Sequence, residues 1–349
     1  MEKLIEINSK QIQLMKPLTC ADYTSKTVLT NSAWDYVQLW LRRQKGAEGK
    51  HASFYWSQAY NFYVASNDLP YTSKPLTSYY CCMNATKALL CLNGINLDNI
   101  SHGISSDRSM LATSNSLEAI SVVFNGGGVL CELSKHLGES CTKEHYTIYD
   151  LLYNIPCVHR AFSITYVCPE LFIPVSDVRF VANCENKKAW IRFKVDDRYA
   201  NGNSLRYVPK SYEKTNFDSV GYYMRSKKRF DWDIHVGIRD RLSSLSSYHA
   251  RIRKELHYIS GDERLWYVKK DIQGNKHIIN RNSLTLIFAI MHWLSELVRY
   301  NPVKFDQLMG TKQNWVIHEF IDIALDQFIN EISCEITKSD IMTPAKRKQ

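Results

Sequence analysis

The sequence predicts an α+β protein: N- and C-terminal helices form one bundle, with a β-hairpin-rich middle region between them. Three features point there. Segments 75–94 and 282–302 are apolar almost all round, yet each carries one narrow polar stripe at helical spacing. Between them, several segments alternate apolar and polar residues around Gly- and Asn-containing turns. The last long segment, 314–337, is amphipathic with a helical period.

Taken in order, Asn31 or Ser32 can cap a first helix through residues 32–43. Residues 42–51 read as a basic, Gly-punctuated loop, and 53–67 as an aromatic-rich second helix with Pro70 beyond its end. These aromatics cover most of the helix surface, so packing is expected of them rather than base stacking. The third helix is the first striped segment, with Gly94 placed to end it. Residues 117–137 predict a hairpin turning at Gly126–Gly128, followed by a short helix ending before Pro156. Residues 175–183 and 188–196 predict a second hairpin, and 264–282 a third turning at 273–275. The second striped helix starts at an Asn282/Ser283 cap and stops at Asn301-Pro302. In the final helix, Trp315, Phe320, Ile321, Ala324, Phe328 and Ile332 form the apolar side, and Glu319, Asp322, Asp326 and Glu331 face away. The expected division is 1–105 helical, 106–281 mixed and β-rich, 282–338 helical and packed on the first part, and 339–349 a disordered tail.

A chain of 349 residues with 45% hydrophobic and 23% charged content is long enough for one large or two ordinary globular domains. The longest apolar run, Leu284 to Met291, ends at His292, far short of a membrane span, and the first ten residues do not resemble a signal peptide. A cytoplasmic chain that does not engage a membrane is expected. Ten scattered cysteines form no C-x-x-C and have no histidine at zinc spacing, so reduced core thiols are expected, with no metal and no cofactor. The formal charge of +9 permits a polyanionic partner without requiring one. The basic segments 42–50, 225–230 and 251–254 would form a phosphate-tracking surface if they converge.

P-loop, H-E-x-x-H and G-x-S-x-G motifs are absent. Residues 196–203 fail as a calcium loop: Tyr199 stands where an oxygen ligand belongs, and Val208 where the bidentate glutamate belongs. Arg251 to His257 and Arg229 to His235 have the Arg-x4–6-His spacing of the HEPN ribonucleases. Chance alone gives roughly two such matches in a chain of this composition, so the spacing carries no signal by itself. Arg251 and His257 are the better pair, since 246–259 can be helical.

Residues 51–104 and 283–332 together resemble the YaaC-like bacterial proteins. The first has the K-P-L…Y-Y…K-A helix followed by His-Gly, and the second the L-S…V-R-Y-x-P ending. The matching positions are Lys74, Tyr79, Tyr80, Lys87, His102, Gly103, Arg299 and Tyr300. The resemblance implies a helical, HEPN-related scaffold with an inserted β-rich region, found in bacteria and in part among antiviral defence genes. It implies no reaction.

The stripes therefore hold the candidate site. The first comprises Tyr80, Asn84 and Lys87, and the second His292, Ser295, Glu296 and Arg299. Buried ionisable groups need partners. Three readings are open. In the favoured one, Lys87 and Glu296 form a buried ion pair within a network of Asn84, His292 and Arg299. In the second, Lys74, Lys87, His102 and Arg299 surround an anion. In the third, His102 or His292 acts as a base and Lys87 or Arg299 stabilises charge. The function expected is that of an accessory protein, without catalysis of its own, that binds a partner protein or a nucleic acid. Self-association is allowed. A metal-independent ribonuclease is the alternative.

Overall fold

The computed structural model describes residues 2–106, 115–183, 185–215, 221–261 and 265–343. It is 46% helical and 19% strand, the predicted α+β class. The helices used below are α1 (Ala33–Arg42), α2 (Gly46–Asn67), α3 (Lys74–Leu92), α4 (Val129–His136), α5 (Ile148–Tyr153), α6 (His159–Tyr166), α7 (Ile238–Ile252), α8 (Ser283–Tyr300), α9 (Pro302–Met309) and α10 (Asn314–Thr337).

The chain divides into two compact units, on boundaries other than those read from the sequence. One comprises 1–29, 171–274 and 338–349; the other comprises 30–170 and 275–337. The first 29 residues thus leave the N-terminal helices, and 115–170 leave the β-rich middle.

The β-rich unit is built on an antiparallel sheet. Its central strands β8 (Phe172–Asn183) and β9 (Lys188–Val195) are the predicted second hairpin. Strand β1 (Glu2–Leu4) also pairs with β8. On the β9 side lie β11 (Tyr222–Ser226) and β10 (Tyr212–Thr215), and on the β8 side β14 (Leu265–Lys269) and β13 (Leu256–Ile259). The third hairpin is therefore displaced: β14 pairs back with β13, and 271–281 form no second arm. Helix α7 buries Leu245, Tyr248 and Ile252 in the same core as Phe180, Phe193 and Ile191. A bulge in β8 between Ser176 and Arg179 turns Asp177 toward buried Arg192 at 3.1 Å. The expected disordered tail is partly structured. β15 (Ile341–Met342) pairs in parallel with β4 (Val28–Leu29), and Asp340 accepts from the Lys16 amide at 3.2 Å. Residues 344–349 of that tail, like Cys184, lie outside the described residues.

In the helical unit, α3 packs against α2, α8 and α10. Its caps follow the sequence closely: Ser32 accepts from the Asp35 amide, Asn282 accepts from the Leu284 amide, and Gly94 follows α3 with φ +75°. Helix α2 begins at Gly46, seven residues before its expected start, because Gly49 is a packing residue rather than a breaker. A Cβ there would lie 2.8 Å from the Gln44 carbonyl oxygen. On α10, Glu331 does not face away. It is buried, bonded to Ser283 and Gln327. Trp315, expected on the buried side, is largely exposed.

The first predicted hairpin is a strand, a turn and a helix. β6 (Ser121–Phe124) pairs with β5 (Ile104–Ser106) and β7 (Glu144–Thr147), and the three glycines lead into α4. The amides of Val129 and Leu130, which open α4, donate to the carbonyls of Ser101 (2.9 Å) and His102 (3.1 Å). Cys131 of α4 is disulfide-bonded to Cys141, which corrects the expectation of ten thiols; Gly138 makes the turn that brings the two Cα atoms to 5.2 Å. Cys20, Cys81, Cys82, Cys91, Cys157, Cys168 and Cys334 are not disulfide-bonded.

Candidate functional site

Both polar stripes contribute to one cleft of about 90 Å³ in the helical unit. Helix α3 supplies Tyr79 and Tyr80; α8 supplies His292, Glu296 and Arg299; the stretch leading into β5 supplies His102. Leu76, Ser295 and Tyr300 complete the lining. Each is where it is for a local reason. The first stripe is on α3 because 74–92 is an unbroken helix with Pro75 in its first turn. His292 is four residues before Glu296 on α8, whose residues are buried without exception from Ser283 to Ser295. His102 is fixed by its own carbonyl, which caps α4.

The geometry is that of two imidazoles around a buried phenol. The Tyr79 hydroxyl lies 2.7 Å from His102 Nδ1, and the Tyr79 ring meets the His292 ring edge-on at 5.0 Å. The two histidine rings are 5.8 Å apart. Burial pushes the Tyr79 pKa up, so the phenol stays protonated and donates to His102 Nδ1. Neutral His102 then carries its own proton on Nε2. Burial also lowers the His102 pKa, helped by Lys87 and opposed by Glu296. His292 is more strongly affected: burial lowers it to about 4, against the pull of Glu296 and with a push from His102. His292 Nδ1 has no hydrogen-bond partner among the described residues; its nearest carboxylate oxygen, Glu296 Oε2, is 3.8 Å away. Ser295 is occupied, donating to the His292 carbonyl.

The remaining candidates are elsewhere. Lys87 is not paired with Glu296, contrary to the favoured reading. Its Nζ lies 5.4 Å from the centre of the Tyr55 ring, and it reaches His102 only through its field. Lys74 pairs with Asp322 at 3.1 Å, and Asn84 donates to the Tyr80 carbonyl at 2.7 Å. Tyr80 does line the cleft, with its ring stacked on Phe62. Arg251 and His257 do not share a helix: Arg251 is exposed on α7 against Tyr248, and His257 is buried on β13 against Phe172. Tyr79 is the site residue that the stripe spacing passes over. Its only signal was its place in the Tyr-Tyr pair of the resemblance.

A pH prediction follows from His292. Its folded pKa lies below the unfolded value of about 6.5, so the unfolded chain takes up the proton first. Stability is therefore unaffected above pH 6.5 and falls as pH drops toward 4, by roughly 3 kcal/mol at most. Urea unfolding of His292→Gln between these pH values is expected to show a shallower loss. An equally steep loss in the variant would assign the titration to other groups, such as buried His257.

Two of the three basic segments converge in the β-rich unit. The Tyr248 hydroxyl donates to the Lys228 carbonyl at 3.1 Å, and Lys228 Nζ reaches Glu255 at 3.2 Å, joining 225–230 to 251–255. Lys227, Lys228, Arg229, Arg251 and Lys254 are exposed there. Arg225 and Arg253 are structural: Arg225 pairs with Glu2 and Glu213, and Arg253 is buried on the Lys16 carbonyl. The segment 42–50 belongs to the helical unit.

Among the described residues no helix is long and apolar enough to cross a membrane, and no group of side chains has the makings of a metal site. An α+β chain with a two-histidine cleft in its helical unit is thus the class defined. The chain belongs to the YaaC-like protein family, whose family model matches residues 17–336. No curated protein and no solved structure matches it.

Proposed function

We propose that this protein is a bacterial, cytoplasmic accessory protein of antiviral defence that binds nucleic acid without catalysis of its own. The observation that carries this reading is the contact between the basic segment 225–230 and the end of α7, with Lys227, Lys228, Arg229, Arg251 and Lys254 all exposed around it. Exposed cations at that density neutralise successive phosphates and release their counterions. A partner protein of the same system would need a matching acidic surface. Of the nine described cysteines, seven are outside any disulfide, which favours a reducing compartment, and one pair, Cys131–Cys141, is bonded, which does not. We take the helical unit to be a HEPN-related bundle, a reading supported by the packing of α3 on α2, α8 and α10. The ribonuclease alternative is weakened by the separation of Arg251 from His257 onto a helix and a strand.

Anisotropy of a labelled single-stranded RNA is expected to show binding that weakens steeply with salt. The triple variant Lys227→Ala, Arg229→Ala, Arg251→Ala should lower the slope of log K against log salt by about 2, at roughly 0.7 for each phosphate no longer neutralised. The weakening should be the same for every sequence. No binding at low salt refutes the reading. RNA cleavage that disappears in His257→Ala would establish the ribonuclease instead.

A further inference from the structure

We propose that the His102–His292–Arg299 cleft is a binding site for a tetrahedral oxyanion of the phosphate class, free or as the terminal phosphate of a nucleotide, and that binding is coupled to proton uptake by the imidazoles. This inference concerns the helical unit alone and does not depend on the basic face.

Four observations carry it. First, the cleft, of about 90 Å³, is small and has room for one tetrahedral anion. Second, His292 is 5% exposed, lines the cleft and has an Nδ1 with no hydrogen-bond partner among the described residues. A buried polar atom without a partner is destabilising, and a ligand oxygen would supply the partner. Third, the Tyr79 hydroxyl occupies Nδ1 of His102, which leaves Nε2–H as a donor for a ligand. Fourth, Arg299 is exposed at the cleft with its guanidinium 4.9 Å from the Tyr300 ring centre, a fork of donors suited to oxyanions.

Proton uptake follows from the charge balance. Among the described residues, the ionisable side chains lining the cleft are Tyr79, Tyr80, His102, His292, Glu296, Arg299 and Tyr300, with Lys87 acting from farther along α3. With both imidazoles neutral, Arg299 and Glu296 cancel. A dianion would enter a site with little net charge of its own. Protonating an imidazole beside the anion supplies the missing positive charge, and Glu296 next to His292 favours that protonated form.

The test uses the intact chain and inorganic sulfate, which stays a dianion over the working range, so any pH dependence belongs to the protein. Calorimetric titration is expected to show binding at about pH 6 that weakens about tenfold by pH 7, one proton being taken up per anion. His102→Ala and Arg299→Ala, both at exposed positions, should each weaken it at least tenfold with an unchanged circular dichroism spectrum. Inorganic phosphate and a 5′-mononucleotide, titrated in parallel, distinguish a free anion from a terminal phosphate. No sulfate binding at millimolar concentration, affinity independent of pH, or full affinity in both variants would each overturn the proposal. RNA binding abolished in the triple lysine–arginine variant while sulfate binding persists would leave the two sites separately established.

Discussion

Arg281→Ala is expected to cost the helical unit about 3–5 kcal/mol, the range for breaking a buried ion pair from one side. The Arg281 side chain is 3% exposed and stands just before α8. It donates to the Ser140 carbonyl at 2.6 Å, pairs with Glu144 at 2.9 Å and Glu139 at 3.4 Å, and lies over the Phe124 ring. For Glu144, burial is outweighed by hydrogen bonds from Tyr146 and Arg281, which bring its pKa down to about 2. Burial already pushes the Glu139 carboxyl up, although Arg281 and the Asn282 amide oppose it. Without Arg281 it would rise further. A carboxyl whose folded pKa is raised loses stability as pH rises through its unfolded pKa, so the variant's deficit should be largest near neutrality and shrink on acidification. Denaturant unfolding at both ends of that range reads this out. Arg281→Lys should recover only part of the loss, because an ammonium cannot reach the same set of acceptors. A deficit under about 1 kcal/mol would mean that the network does not anchor α8.

Gly128→Ala is expected to be nearly as damaging, for a different reason. Gly128 has φ +98°, and a Cβ there would lie 2.4 Å from both the Cα and N of Gly103. Both neighbours are backbone and cannot swing away. Strain at the left-handed position and the forced separation of two chain segments together cost roughly 2–4 kcal/mol. The displaced atoms belong to the stretch whose carbonyls, at Ser101 and His102, cap α4. His102 should therefore move, and sulfate affinity should fall together with stability. Gly127→Ala is the control: a Cβ at that position meets nothing within 4 Å. If both variants behave alike, the close approach of Gly103 and Gly128 is not what positions His102.

The legible parts of this fold were those in which local pattern and tertiary environment agree. α3 and α8 could be placed from their stripes and caps, and β8 and β9 from alternation around a polar turn. Misreadings arose where a short apolar run fits either period. The run Val129 to Leu133 is as acceptable in a strand as in a helix, and only the capping of its amides by Ser101 and His102 decides the matter. Gly49 read as punctuation because close packing on Gln44 leaves no trace in sequence. Of the candidate site, His292, Glu296 and Arg299 of the second stripe share the cleft with Tyr80 of the first, and His102, which lies on neither stripe, joins them. Lys74 and Lys87 do not, since Asp322 and Tyr55 hold them elsewhere. Tyr79 was hidden by being buried: apart from the resemblance, nothing in an apolar face distinguishes a packing tyrosine from one that sets a histidine tautomer.

The β-rich unit draws on three stretches of chain, and the last of these is short. The Asp22 amide donates to the Lys338 carbonyl at 2.9 Å, and the Val28 amide to the Asp340 carbonyl at 2.8 Å. During synthesis, Asp22 and Val28 must wait until more than three hundred further residues have been made before these partners arrive. These contacts therefore form only after residues 30–170 and 275–337 of the helical unit have been made. A stop codon that removed only residues from 338 onward would strip partners from Asp22, Val28 and Lys16, far upstream in the message.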